Sequence, residues 1–338
     1  MIRSFLPTAD SDAPAFPRRG LTVLAAVAAS AGLALAGCSD AEEPDTAAEG
    51  GGETKAEESG SANVGDVDVL TTFTILADIT QEIAGDELSV ASLTLPGAEI
   101  HGYDPTPGDI TAAANADLVI SNGLGLEDWA DRLLVDSDAT RIEASEGVEA
   151  IDIENTDHPN PHAWMSPKEA LTYVDNITKA LSEYRPESAE TFEKNAEAYK
   201  EKISQVGDEM IAGLEELPEN HRVLSTCEGA FSYLARDADL EENYIWAVNS
   251  DEEITPQNIR RAVEGLNKNQ VPAQFCESTV DDGPKQQVIE EADHEVRDGG
   301  TLYVDSLTEE GGDAPTYLDL LTFDAETIVS GLTGEGDE

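Results

Sequence analysis

Five histidines stand in a chain of 338 residues, and two of them share one ten-residue stretch, HPNPHAWMSP at 158–167. His158 and His162 are four positions apart. Pro159 and Pro161, however, deny the segment a helical start before Met165, so the pair cannot serve as the two ligands of one helix face. The stretch reads as a stiff loop in which Pro161 and Trp164 fix the reach of His162. His158 reads as solvent-facing, and His221 and His294, which flank predicted elements, read as surface residues. In open α/β sheets, ligands gather beyond the carboxyl ends of the strands. The polar residues expected there are His101, after LTLPGAEI; His162, in its loop; Glu228, closing the strand RVLSTCE; and Asp305, closing TLYVD. Brought together across a cleft, two imidazole nitrogens and two carboxylates make a site for one divalent transition metal. The two carboxylates cancel the charge of a dication, which matters once water is excluded.

The elements needed to position these groups are legible as alternation. VDVLTT (67–72), LSVASLT (88–94), DLVISNG (117–123) and TRIEAS (140–145) read as strands. Between them, ILADITQEIAG, TPGDITAAANA and LEDWADRLL carry helical periodicity. Thr106 followed by Pro107, Ser166 by Pro167, and Thr255 by Pro256 are N-cap and first-turn signals, and Gly85 is a C-cap signal. After Pro218 the alternation resumes with RVLSTCE, NYIWAVN, PAQFCEST and GTLYVDSL as strands. The helices between and after them are GAFSYLARDA, TPQNIRRAVEGLNKN, GPKQQVIEEADH and TYLDLLTFDAETIVSGL. The expected class is α/β: two Rossmann-like lobes of parallel sheet with flanking helices. Residues 67–185 form the first lobe and 218–338 the second, joined by a long rigid helix over 186–217.

Charge limits the partners. The chain carries 71 acids against 19 bases, a net charge of −52. Nucleic acid is excluded as a partner, because phosphate binding requires Lys and Arg; a cation is the natural ligand class. The segment 40–66 holds nine acids and Lys55, so most of the excess lies on the folded part. An acidic folded surface suits a high-salt habitat, where screening suppresses self-repulsion. Arg18 and Arg19 precede an apolar run, Leu21–Ala36, that is too short and too rich in Ala and Gly for a membrane span and fits a signal-peptide core. LAGC at 35–38 resembles the bacterial lipobox. That resemblance implies removal of residues 1–37, lipidation of Cys38, and a disordered acidic tether over 38–66. RRGLT leaves the twin-arginine route open beside the general one. The expected location is the outer face of the cytoplasmic membrane, held by the lipid.

Seven segments in order, HGYDPTPGDI, NGLGLEDW, NPHAWMSP, EGAFSYLAR, NSDEEITPQNI, ESTVDD and YVDSL, are similar to the manganese-, iron- and zinc-binding receptors of ABC import systems. The resemblance runs from about residue 67 to the C-terminus. It implies two lobes bridged by a rigid helix, a cation between them, and His101, His162, Glu228 and Asp305 as its ligands. Asp104 stands where many members have Glu. Zinc members usually carry a third histidine at the Glu228 position and a histidine-rich acidic loop, and this chain has neither. The expected cargo is Mn2+, with Fe2+ or Zn2+ as alternatives, since zinc binds almost any such donor set more tightly than manganese. Some manganese members have a cysteine pair at Cys227 and Cys276. A disulfide there, rather than two buried thiols, suits an exported protein. The implied partners are a permease and its ATPase on separate chains, and a monomer is expected. Two other readings compete. A metallohydrolase would keep an open coordination position, and no Ser-His-Asp order, phosphate loop or CxxC supports other catalysis, so the chain is expected not to be an enzyme. A surface adhesin or a zinc receptor on the same fold is the third reading.

Overall fold

The computed structural model describes residues 67–135, 137–248 and 254–334. The expected signal peptide, Cys38 and the acidic tether lie outside these residues. The first lobe is built from β1 (Val69–Thr71), α1 (Thr74–Ala84), β2 (Val90–Ser92), α2 (Pro107–Asn115), β3 (Leu118–Ser121), α3 (Asp128–Leu133) and β4 (Thr140–Glu143). Its four strands are all parallel, in the order β2-β1-β3-β4. One apolar face of this sheet packs on α2 and α3 through Leu70, Val119, Ala113 and Trp129. The other packs on α1 through Val69, Ile120, Ile75 and Ile79. Coverage of both faces explains why the central strands β1 and β3 read as apolar runs rather than as alternation.

A 3-10 turn at Ala163–Met165 opens α4 (Pro167–Tyr184), and a second at Pro186–Ser188 opens α5 (Ala189–Leu214). The long helix expected over 186–217 is therefore 26 helical residues behind a tight turn, about 39 Å at the usual rise. Phe192, Ala196, Tyr199, Ile203, Met210 and Leu214 form its buried stripe. The second lobe follows: β5 (Val223–Glu228), α6 (Ser232–Asp237), β6 (Glu241–Trp246), α7 (Pro256–Asn269), β7 (Ala273–Glu277), α8 (Gly283–Glu291), β8 (Arg297–Leu302) and α9 (Tyr317–Thr333). Strand β5 pairs with β6 and β7 with β8, both parallel. A Cys227–Cys276 disulfide and the Ser225–Gln274 hydrogen bond (2.6 Å) tie β5 to β7. The expected caps form: Thr106, Ser166 and Thr255 each accept the backbone N–H three residues on.

One apolar core runs through both lobes and the spine, from Ile79 and Trp164 to Tyr199, Tyr317 and Ile328. Asp78 of α1 shows the same continuity in polar form. It accepts from Tyr317 N at the head of α9 (2.9 Å) and from Tyr199 OH on α5 (3.4 Å). Burial pushes its carboxyl up to about 6. Among the described residues, no helix is long and apolar enough to cross a membrane.

Candidate metal centre

The four expected residues, two from each lobe, come together. His101 sits in the loop after β2. The carboxylate of Glu99 accepts both His101 N (2.7 Å) and Gly102 N (2.9 Å), and the indole of Trp129 donates to Ile100 O (3.0 Å). These bonds place the loop on lobe one. His162 is fully buried at the start of the 3-10 turn, against the ring of Trp164 at 5.0 Å. Trp164 in turn donates from Nε1 to Val304 O (2.9 Å) in the second lobe, and its own carbonyl accepts from Tyr317 OH. Glu228 is the last residue of β5. Asp305 lies three residues past the end of β8.

His101 Nε2 stands 3.2 Å from His162 Nε2, 3.7 Å from Glu228 Oε1 and 3.7 Å from Asp305 Oδ1; His162 Nε2 stands 3.4 Å from Asp305 Oδ1. One donor atom from each residue lies within 4.8 Å of all the others. Donors bound tetrahedrally to one dication at about 2.1 Å would be about 3.4 Å apart, and the His101 and His162 separations above, 3.2–3.7 Å, lie near that value. Asp305 Oδ1 is buried with no hydrogen-bond partner among the described residues. A cation in the middle would satisfy it. The set is two nitrogens and two carboxylate oxygens, and it fits a divalent transition metal. His101 is the most accessible, its side chain 13% exposed, against 0%, 6% and 2% for His162, Glu228 and Asp305.

Protonation favours the same use. Asn160 Oδ1 accepts from His162 N (3.1 Å), so that atom must be the amide oxygen, and the contact from His162 Nδ1 (2.9 Å) must carry a hydrogen. The neutral ring then presents a lone pair at Nε2, towards the other donors. Burial, the largest influence, holds the His162 imidazole below its ordinary value. Burial alone would push Asp305 up. The two neighbouring imidazoles, to the extent that they are protonated, and the Thr279 hydroxyl outweigh it, and the carboxyl lies below the usual range.

Several supporting residues escaped the sequence reading. Asn160 uses its other amide half to donate to Gly229 O (2.7 Å) and Ser232 Oγ (3.1 Å), joining His162 to the segment after Glu228. Glu277 closes β7 as Glu228 closes β5, and its Oε2 accepts Glu228 N (3.1 Å). Burial pushes its carboxyl up to about 8. The matching Cys-Glu pairs at 227–228 and 276–277 were the available signal. His158 is exposed, as expected. His294 is not a plain surface residue: its ring, half-buried, bonds Val271 O (2.8 Å) and lies 3.3 Å from Asn267 Oδ1. His221 is also half-buried.

Behind His162 lies a second buried acid. Glu127 accepts from Asn122 N (2.6 Å), Thr72 Oγ1 (2.7 Å) and Gly123 N (3.3 Å), and Asn122 Nδ2 donates to Pro161 O (3.0 Å). Burial pushes Glu127 up to about 7, against the pull of those donors. A carboxyl raised in the folded state stabilises most below its unfolded value and loses that contribution as pH rises through the folded one. The metal-free protein should therefore lose up to about 3 kcal/mol through this group between pH 4.5 and 7. Chemical denaturation across that range should give a shallower slope for Glu127→Gln than for the natural chain. Parallel slopes would show that Glu127 ionises normally.

The comparisons agree with the geometry. The family described as "ZnuA: Zinc-uptake complex component A periplasmic" matches residues 69–331. The iron-binding protein YfeA of Yersinia pestis is 44% identical over 268 residues, 78% of this chain and 86% of that one. The manganese-binding lipoprotein MntA of Halalkalibacterium halodurans is 34% identical over 280 residues, covering 82% and 93%. The Mn-bound periplasmic metal binding protein of Candidatus Liberibacter asiaticus superposes with a TM-score of 0.74 at 38% identity, covering 78% of this chain and 98% of that one. The periplasmic zinc binding protein TroA of Treponema pallidum gives 0.73 at 26%, covering 79% and 99%. With parallel lobes, a shared core along α5 and matches spanning nearly all the described residues, the chain belongs to the ZnuA family of metal-binding, substrate-binding proteins.

Proposed function

We propose that this chain is the extracytoplasmic receptor of an ABC importer. It captures one divalent transition metal, Mn2+ first, between its lobes and delivers it to a permease driven by a separate ATPase. His101, His162, Glu228 and Asp305 are the ligands, and no chemistry is done on the cargo. The reading rests on one observation: four donor atoms, two from each lobe, lie within 4.8 Å of one another in a largely buried cluster. Donors shared between the lobes bind the closed arrangement better than an open one, so metal shifts the population towards closure. Delivery then requires the permease to separate the lobes or disturb a ligand. Two carboxylates beside two imidazoles favour a harder ion than a histidine-rich site would. Iron is the second candidate, supported by the name of the Yersinia relative.

The domain plan belongs to the same proposal: a leader over 1–37, Cys38 as lipid anchor, a tether to 66, and lobes 67–185 and 218–338 about the linking helix. Names of relatives as lipoproteins support the anchor. The test is titration of the metal-stripped protein with Mn2+, anaerobic Fe2+ and Zn2+, followed by uptake of each labelled metal in cells with and without the receptor. One ion per chain and receptor-dependent Mn2+ uptake are expected. Zinc binding alone would not discriminate, because zinc outranks manganese at nearly any such site. Failure of all three ions to bind would remove the receptor reading.

A further inference from the structure

Outside the four donors the lobes meet in a second hydrogen-bonded seam, and it lies on the loops that carry one donor from each lobe. Gly97, four residues before His101, donates its N–H to both Ser306 Oγ (2.7 Å) and Leu307 O (3.0 Å). Leu307 N donates back to Thr74 Oγ1 (3.0 Å) at the head of α1, and the hydroxyls of Thr74 and Ser306 stand 3.4 Å apart. Ser306, Leu307 and Thr74 are all buried, and Ser306 directly follows Asp305. Gly97 holds φ +78° with nothing within 4 Å of where a Cβ would stand. Glycine is thus required by the backbone turn that aims its N–H across the cleft, not by crowding.

The seam has a consequence for release. Within lobe one, Glu99 and Trp129 hold the His101 loop. Across the cleft, the same loop is held beside Asp305 by the Gly97, Ser306 and Thr74 contacts. The lobes cannot part at the His101–Asp305 edge without breaking those bonds. This edge carries His101, the most accessible donor, so it is where water first reaches the ion. Asn160 makes a separate contact between the lobes, tying His162 to Gly229.

We propose that Ser306 and Thr74 form an interlobe latch whose breaking limits the rate of metal release; this rests on the receptor reading above. They are positioning residues and do not touch the ion. Ser306→Ala removes one acceptor from Gly97 N but leaves Leu307 O, so the fold survives. Thr74→Val removes the acceptor of Leu307 N and should act in the same direction.

The test uses the full chain loaded with Mn2+ and mixed rapidly with excess chelator, with association measured separately and the melting temperature taken on the metal-free form. Ser306→Ala should release metal on the order of fivefold faster, with association and metal-free melting unchanged, and Ser306→Thr should restore the natural rate. Because the hydroxyls of the seam face each other, combining Ser306→Ala with Thr74→Val should accelerate release by less than the product of the single effects. Release at the natural rate from a variant of a chain that binds Mn2+ tightly overturns the latch and leaves the receptor reading intact. Slower association in place of faster release also overturns it, since that marks a misassembled site. Absence of Mn2+ binding to the natural chain brings down both.

Discussion

Asp305→Asn is expected to weaken metal binding on the order of 10²–10³-fold, because the substitution leaves a buried dication with one carboxylate instead of two. Asp305 faces both imidazoles: its Oδ1 lies 3.4 Å from His162 Nε2 and 3.7 Å from His101 Nε2. That oxygen has no other partner among the described residues. Asparagine keeps the volume and can still offer a carbonyl oxygen, so the change isolates charge from shape. The metal-free fold should be little affected, since the neighbouring backbone is held elsewhere: Tyr303 N by Asp324 and Val304 O by Trp164. The readout is competition against a chelator of known affinity, with thermal melting alongside. Saturation at a hundred times the dissociation constant stabilises by about 2.7 kcal/mol, a rise of roughly 5–10 °C for a domain of this size. Asp305→Asn should lose nearly all of that rise at the same metal concentration. A full rise in the variant would place the ion elsewhere, and the four-donor site would have to be abandoned.

The order of elements was legible because local signals agree with the final packing. Strand, helix and cap chemistry repeat along both halves, and Pro107, Pro167 and Pro256 each stand one residue behind a capping threonine or serine. Beyond that, legibility stopped where a residue serves something distant in the chain. The strand expected at GTLYVDSL runs instead over Arg297–Leu302. Gly299 and Gly300 lie inside the strand, and Gly299 makes room for the ring of Phe275. A Cβ there would lie 2.6 Å from that ring, and one at Gly331 on α9 would lie 2.5 Å from it. The strand ends early because Tyr303 N is taken by a side chain of α9 rather than by the ladder. Asp305 is therefore a loop residue held by lobe contacts, not the end of a strand. The same reason hid Asn160, Glu277 and Glu127. Each has at least one partner far off in sequence, Thr72 for Glu127, Gly229 for Asn160 and Glu228 for Glu277, and no periodicity announces them. Of the donors only Glu228 closes a strand as expected; His101, His162 and Asp305 stand in loops, and it was the resemblance to the metal-receptor family that singled them out. Of the supporting groups, Asn160 bridges the lobes, whereas Glu127 and Glu277 are bonded inside their own lobes, and only the assembled chain brings their partners together.

The disulfide carries the second large effect. Cys227 and Cys276 are separated by 49 positions, and in the chain-entropy account a crosslink closing such a loop stabilises by about 4 kcal/mol. Its placement adds a functional consequence. Each cysteine directly precedes a glutamate at a strand end, and Glu277 Oε2 accepts the N–H of Glu228. The bridge joins β5 to β7, and Glu277 continues that junction to the backbone of Glu228, one of the four proposed ligands. Loosening β5 against β7 would let Glu228 drift from His101, whose Nε2 now lies 3.7 Å from Oε1. The double substitution Cys227→Ala with Cys276→Ala should therefore lower unfolding stability by up to about 4 kcal/mol. It should also weaken metal binding about tenfold, the scale on which ligand-supporting groups act. Using the double variant avoids reductants, which themselves bind metal. The two effects separate experimentally: denaturant melts of the metal-free protein report the crosslink, and chelator competition on folded protein reports the positioning of Glu228. A destabilised variant with unchanged affinity would show that the bridge serves the fold alone, and that β5 is held at the site by Ser225–Gln274 and the core. Weakened affinity in a variant that remains fully folded at the assay temperature would make the redox state of this pair a control on cargo retention, in a compartment where the bridge is expected to stay closed.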